Sequence, residues 1–229
     1  MPTKQTVDAR AVLCDMDGTL VDSAGDLASA ASALTVELGG RALTREQVVR
    51  MVGEGAAVLV RRALTAAGLD PETPDATARF LELYDARMCD TTVLYPGIRV
   101  VLDALDPLLP LAVVTNKPEG AARRLVEALG IGRYFLEVIG ADAAWPRKPD
   151  PAGLRSLAVH AGGGPVVLVG DSPIDQQTAS RAGAAFVLAA YGFGATGPAE
   201  ALATPYVAET PSDLPRVIGE ALRRGRLGA

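Results

Sequence analysis

Five short apolar runs recur along the chain, each followed by a polar or glycine-containing turn and then a helical pattern. They are Ala11-Val12-Leu13-Cys14, Leu111-Ala112-Val113-Val114, Val138-Ile139, Val166-Val167-Leu168-Val169 and Phe186-Val187-Leu188-Ala189. Runs this short, rich in β-branched residues and apolar at every position, read as parallel strands buried on both faces. Helical patterns cover roughly 97–106, 119–130, 151–161, 174–183 and 212–224. Such alternation predicts an α/β fold built on a doubly wound parallel sheet. One interval breaks the rhythm. From Ser23 to about Asp90 there are only amphipathic helical stretches, broken at Gly39-Gly40, Gly53-Glu54-Gly55 and Gly68-Leu69-Asp70-Pro71, so a helical insertion follows the first strand.

Composition narrows the function classes. With 229 residues, 49% hydrophobic and 21% charged, the chain is neither disordered nor collagen-like. Its net charge is −5 and no run of Lys and Arg forms a stripe, which argues against a nucleic-acid partner. The stretch MPTKQTVDAR has no apolar signal-peptide core, and the longest uncharged stretch, Ala182 to Ala199, is interrupted by glycines and Pro198. Cys14 and Cys89 cannot build a disulfide framework. A soluble, cytoplasmic protein with no membrane partner is expected. The single histidine, His160, rules out a multi-histidine zinc site and reads as a polar helix terminus. A cysteine phosphatase needs Arg six residues after its Cys, where this chain has Leu20 and Tyr95. No phosphate loop of the G-x-x-x-x-G-K-[ST] type occurs.

The chemistry gathers at the strand ends, where open α/β sheets bind ligands. Asp15-Met16-Asp17-Gly18-Thr19-Leu20 follows the first strand. Two unit charges about 4 Å apart repel by roughly 4 kcal/mol at an effective dielectric of 20, and a hard divalent cation such as Mg²⁺ relieves this. Thr115-Asn116-Lys117 follows the second strand, Arg147-Lys148-Pro149-Asp150 precedes a helix, and Gly170-Asp171-Ser172-Pro173-Ile174-Asp175 follows the fourth. Together they supply an acidic metal site, a hydroxyl donor and a lysine, which is the equipment for holding a phosphoryl group in transfer. Of the 22 basic residues only Lys4, Lys117 and Lys148 are lysines, and two of those three lie in these motifs.

In these residues the chain resembles the haloacid dehalogenase superfamily of phosphatases: the four strand-end motifs agree in order and spacing, and the helical insertion matches that family's cap domain. The strings DMDGTLVDS, MVGEGAAVLVRRAL, LYPGI, VVTNKP, RKPDP, VGDSPID and YGFG look most like those of phosphoglycolate phosphatases. Cys14 replaces a usual Phe, and Pro173-Ile174 replaces the usual Arg-Asn. The resemblance implies a core of 1–21 and 91–229 and a cap of 22–90. It implies hydrolysis of a small phosphorylated metabolite, 2-phosphoglycolate first among them, by a monomer or homodimer. By the same resemblance Asp15 is the nucleophile and Asp17 the general acid and base. Thr115 and the backbone amides of Met16 and Asn116 hold phosphate oxygens, and Lys148 offsets their charge. Mg²⁺ would be bound by the Asp15 carboxylate, the Asp17 carbonyl and Asp171, with Asp175 orienting Lys148 or a metal-bound water. In the cap, the helix N-terminus at Gly53 and Gly55 would face a substrate carboxylate, together with Arg62, which matches an Arg of the family.

Rival readings remain at this level. Superfamily dehalogenases lack the second aspartate, so Asp17 speaks for phosphoryl chemistry, and a cap without lysine excludes phosphonoacetaldehyde hydrolysis. Sugar phosphomutase, pyrophosphatase and muramic-acid 6-phosphate phosphatase activities stay open. The string Gly192-Phe193-Gly194-Ala195-Thr196-Gly197 has the form of a dinucleotide fingerprint, but too little chain follows it, and a loop beside the active site is the better reading.

Overall fold

The computed structural model describes residues 10–194 and 204–224. Strands β1 (Ala11–Cys14), β4 (Leu111–Val114), β5 (Phe135–Ile139), β6 (Val166–Gly170), β7 (Ala185–Ala189) and β8 (Val207–Ala208) form one sheet in the order β5-β4-β1-β6-β7-β8. Every adjacent pair is parallel. Winding runs outward in both directions from β1, so the order reverses between β1 and β6, and a crevice opens there at the carboxyl ends of the strands.

Side chains of successive strand residues point to opposite faces. Val12, Cys14, Val113, Val167 and Val169 join one core with helices α5 (Ile98–Leu105), α6 (Glu119–Ala128) and α9 (Leu214–Arg224). Ala11, Leu13, Ala112, Val114 and Leu168 join a second core with α7 (Ala152–His160) and α8 (Pro173–Ala182). Both faces are therefore covered, which explains why the strands are apolar throughout.

The helical interval folds into α1 (Ala24–Glu37), α2 (Arg45–Val49), α3 (Ala56–Ala67) and α4 (Ala76–Asp85). Alanines 24, 28, 30 and 31 on α1 are buried and let its neighbours approach closely, while Leu34, Leu64, Phe80 and Tyr84 fill the space between. The chain enters this unit through β2 (Val21–Asp22) and returns through β3 (Val93–Leu94), which pair antiparallel. Beside that ribbon the buried Asp26 carboxylate accepts four hydrogen bonds, from the amides of Thr91 and Thr92 at 2.9 and 3.0 Å and from their hydroxyls at 2.6 Å each.

Three two-residue strands, β2, β3 and β8, go beyond the sequence reading; pairing this brief leaves no periodic signal. Strand β5 also begins earlier than Val138, because exposed Leu136 and the polar Glu137 interrupt its apolar run at the sheet edge. Among the described residues no helix is long and apolar enough to cross a membrane.

Candidate active site

Asp15 immediately follows β1, Asp171 follows β6, Thr115 follows β4, and Lys148 lies in the loop between β5 and α7. The doubly wound order brings all four to the crevice beside β1, and all four are buried. Lys148 Nζ sits 2.9 Å from Asp15 Oδ1 and donates to Asp175 Oδ1 at 2.6 Å. Asp175 is held in turn. Its Oδ2 accepts from the Ser172 hydroxyl at 2.5 Å and amide at 3.1 Å, closing a capping box at the start of α8, where Pro173 takes the first helical position. Asp171 Oδ2 accepts from the Gly194 amide at 2.9 Å. Gly18 makes the approach possible: its φ is +83°, and a Cβ there would stand 2.2 Å from Asp171 Oδ2.

Asp15, Asp171 and Asp175 each offer an oxygen within 4.8 Å of the others. Among the described residues Lys148 alone balances them, and the electrostatics record the shortfall. Burial, reinforced by Asp175, raises Asp15 to about 6 in spite of Lys148. Burial and the neighbouring Asp175 and Asp15 hold Asp171 well above the usual carboxylate range. Burial would lower Lys148, but Asp15 and Asp175 outweigh it and keep the ammonium charged. A dry, oxygen-only donor set with excess negative charge suits a hard divalent cation.

Asp17 turns the other way. Its two carboxylate oxygens accept from Lys117 Nζ at 3.0 and 2.9 Å, and Oδ1 also accepts from Ser23 Oγ at 2.5 Å. Lys117 is buried and lies 4.6 Å from the centroid of the Tyr84 ring on α4. Between the helical unit and the sheet lies a cavity of about 50 Å³. Asp15, Asp17, Thr115, Asn116 and Lys117 line its floor, and Gly53, Gly55, Ala56, Leu59, Phe80 and Tyr84 line its roof. Asn116 Nδ2 ties the two sides together, donating at 3.0 Å to the carbonyls of Gly53 and Lys148.

A family model described as haloacid dehalogenase-like hydrolase matches residues 12–189. The chain belongs to that family. Phosphoglycolate phosphatases from Rhodospirillum rubrum and Pseudomonas putida are 42% and 41% identical to it over 194 and 201 residues. These matches cover 80% and 84% of this chain, and 80% and 73% of the relatives. The crystal structure of a predicted phosphoglycolate phosphatase from Haemophilus somnus matches with a TM-score of 0.84 at 29% identity, covering 92% of this chain and 98% of that one. The protein is a phosphatase of the haloacid dehalogenase-like family.

In this family member Asp15, Asp17, Thr115, Asn116, Gly53 and Gly55 meet at one cavity, with Lys148, Asp171 and Asp175 packed beside Asp15. The Met16 amide faces the Asp15 carboxylate. Arg62 needs correction. It does not line the cavity; its guanidinium is half exposed and engaged by Glu54 and by the Met51 carbonyl at 3.4 Å. On α3 the buried side runs through Leu59, Val60, Ala63 and Leu64, and Arg62 falls off its edge toward solvent, where Glu54 captures it. The carboxylate cluster joins the side chains of Asp15 and Asp171 with that of Asp175, which accepts from Lys148. His160 ends α7 beside Glu137, as a polar helix terminus. Gly192 and Gly194 pack against Asp171, as a loop beside the site should; Ala195, Thr196 and Gly197 lie outside the described residues, as does Lys4. Lys117 is a buried cavity residue that the motifs left without a role, although the rarity of lysine in this chain pointed at it.

Proposed function

We propose that this phosphatase hydrolyses a small phosphate monoester, 2-phosphoglycolate to glycolate and phosphate, through an aspartyl-phosphate on Asp15 and with Mg²⁺. The observation that carries the reading is the Asp15 carboxylate, buried on the floor of a small cavity with Lys148 and Asp171 beside it. The names of the 42% and 41% identical relatives support the substrate.

An Asp15 oxygen attacks phosphorus, and the bond to the leaving oxygen breaks with its electron pair going to that oxygen. Asp17 gives it a proton, then takes one from the water that cleaves the aspartyl-phosphate. The Thr115 hydroxyl and the amides of Met16 and Asn116 hold the phosphoryl oxygens, while Lys148 faces the charge that develops on them. Mg²⁺, held by the Asp15 carboxylate, the Asp17 carbonyl and Asp171, would supply Lewis-acid stabilisation of that charge. Residues 22–90 act as a cap that excludes water over a core of 1–21 and 91–229.

The test is phosphate release from 2-phosphoglycolate, sugar phosphates and pyrophosphate with Mg²⁺. Asp15→Asn should reduce release at least about 10³-fold while leaving the fold intact. Near-native activity in that variant, or a preference for pyrophosphate or a sugar phosphate, would overturn the reading.

A further inference from the structure

Among the residues lining the cavity, Lys117 is the charged one that the phosphoryl chemistry leaves unused. It follows β4, two residues after Thr115, and its side chain is 3% exposed. The ammonium meets both oxygens of Asp17, at 3.0 Å to Oδ1 and 2.9 Å to Oδ2. From α4 the Tyr84 ring packs against it, and the phenolic oxygen accepts a hydrogen bond from it. Burial would lower Lys117, but Asp17 and Tyr84 outweigh it and keep the ammonium charged. Burial lifts the Tyr84 phenol to about 12, so the phenol stays neutral. Replacing a buried ion pair by apolar packing is often neutral or stabilising, so stability alone is a weak reason to enclose this one. Its partner supplies a better reason. Asp17 stands on the turn that also carries Asp15, and its two oxygens are held unequally. Oδ1 accepts from Lys117 and from Ser23 Oγ at 2.5 Å, whereas Oδ2 has Lys117 as its one donor among the described residues.

We propose that Lys117 is a positioning residue for the general acid: with Ser23 it anchors Oδ1 of Asp17, so that Oδ2 carries the proton to the leaving oxygen, and Tyr84 steadies Lys117 in turn. The proposal rests on the phosphatase reading and deepens it. As the bond from phosphorus to the leaving oxygen breaks, the proton on Oδ2 passes to that oxygen and its bonding pair stays on Oδ2. The carboxylate so formed is met by Lys117 across both oxygens, which is the contact seen in this structure. Misplacing a reacting group by about 1 Å costs on the order of 10²-fold in rate, so the anchor matters as much as the acid.

The test compares a leaving group that needs a proton with one that does not. 2-Phosphoglycolate departs as an alkoxide unless protonated, whereas acetyl phosphate, of similar size, departs as acetate. The readout is kcat/KM, which reports the steps through loss of the leaving group and not hydrolysis of the shared aspartyl-phosphate. Lys117→Met should lower it about 100-fold for 2-phosphoglycolate and less than about threefold for acetyl phosphate. Asp17→Asn should show the same selectivity, and adding Lys117→Met to it should change neither substrate by more than about threefold. A Lys117→Met loss equal for both substrates overturns the proposal. So does a loss on 2-phosphoglycolate that persists in the Asp17→Asn background, which marks a direct contact with the ester. The failures are distinguishable. Equal losses in Asp17→Asn overturn the acid assignment and the role of Lys117 together, whereas a selective Asp17→Asn beside an unselective Lys117→Met overturns the positioning role alone. Tyr84→Phe keeps the ring against Lys117 and removes only the hydroxyl, and should lose about fivefold on 2-phosphoglycolate alone. Where Lys117→Met does not fold, an unselective Tyr84→Phe overturns the proposal in its place.

Discussion

Lys148 is wedged between Asp15 and Asp175 with contacts of 2.9 and 2.6 Å, and Arg147 next to it is exposed. Charge alone is therefore available, and the compact shape of an ammonium is what the buried slot requires. Lys148→Arg should lose about 10²- to 10³-fold in kcat, nearly as much as Lys148→Ala, because a planar guanidinium displaces its neighbours. Activity of the Arg variant within about threefold of wild type would remove that requirement. Asp171 gives a pH prediction with a definite sign. Asp15 and Asp171 titrate higher when folded than when unfolded, so the folded chain keeps protons that the unfolded one has lost. Without metal, stability should fall as pH rises from the ordinary carboxylate range through about 6. Metal-free Asp171→Asn should then melt higher than wild type at pH 8, with the gap closing toward pH 5, and Mg²⁺ should raise only the wild-type melting temperature. A variant that melts lower at pH 8, or gains as much from Mg²⁺, contradicts this. At this scale the sequence was most readable where a motif fixed both residue type and place, as at Asp15, Thr115 and Asp171. It failed for Arg62, because helical spacing gives a side chain's direction but not the Glu54 waiting beside it.

Among the elements, β1, β4, β6 and β7 were visible because burial on both faces demands unbroken apolar runs. The ribbon of β2 and β3 was invisible, since two residues cannot show a period. Yet it carries the chain between helices and sheet, and the Asp26 carboxylate, 65 residues from Thr91 in sequence, fastens it with four hydrogen bonds. Asp26→Ala leaves the Thr91 and Thr92 amides and hydroxyls without their acceptor and should cost about 2–4 kcal/mol. Denaturant unfolding measures it, and a loss below about 1 kcal/mol would show that water replaces the carboxylate. Only a long-range contact of this kind, closed by the fold itself, could have revealed Asp26 as more than a first-turn acidic residue.

For the whole molecule, the helical unit and the sheet are joined over the cavity by few polar links, among them Asn116 to the Gly53 carbonyl and an exposed pair between Arg124 and Asp85. Exposed pairs contribute little. Asn116→Ala should therefore loosen the lid, raising KM for 2-phosphoglycolate about tenfold and speeding amide exchange in α3 more than in β1. Equal exchange in both elements would mean that the apolar contacts alone hold the halves together. The central place of β1 has a consequence for how the molecule comes into being. Ala11 to Cys14 leave the ribosome well before their partners, Leu111 to Val113 on one side and Val166 to Val169 on the other. Pairing across such spans is slow, and here it must wait for the later strands to be translated. Helices α1 to α4, whose contacts close within the stretch 24–85, can associate while β1 still lacks a neighbour. A nascent chain halted after α6 would thus carry its helices assembled and Asp15 still on an unfinished edge, so the site is complete only once β6 and Asp171 have emerged.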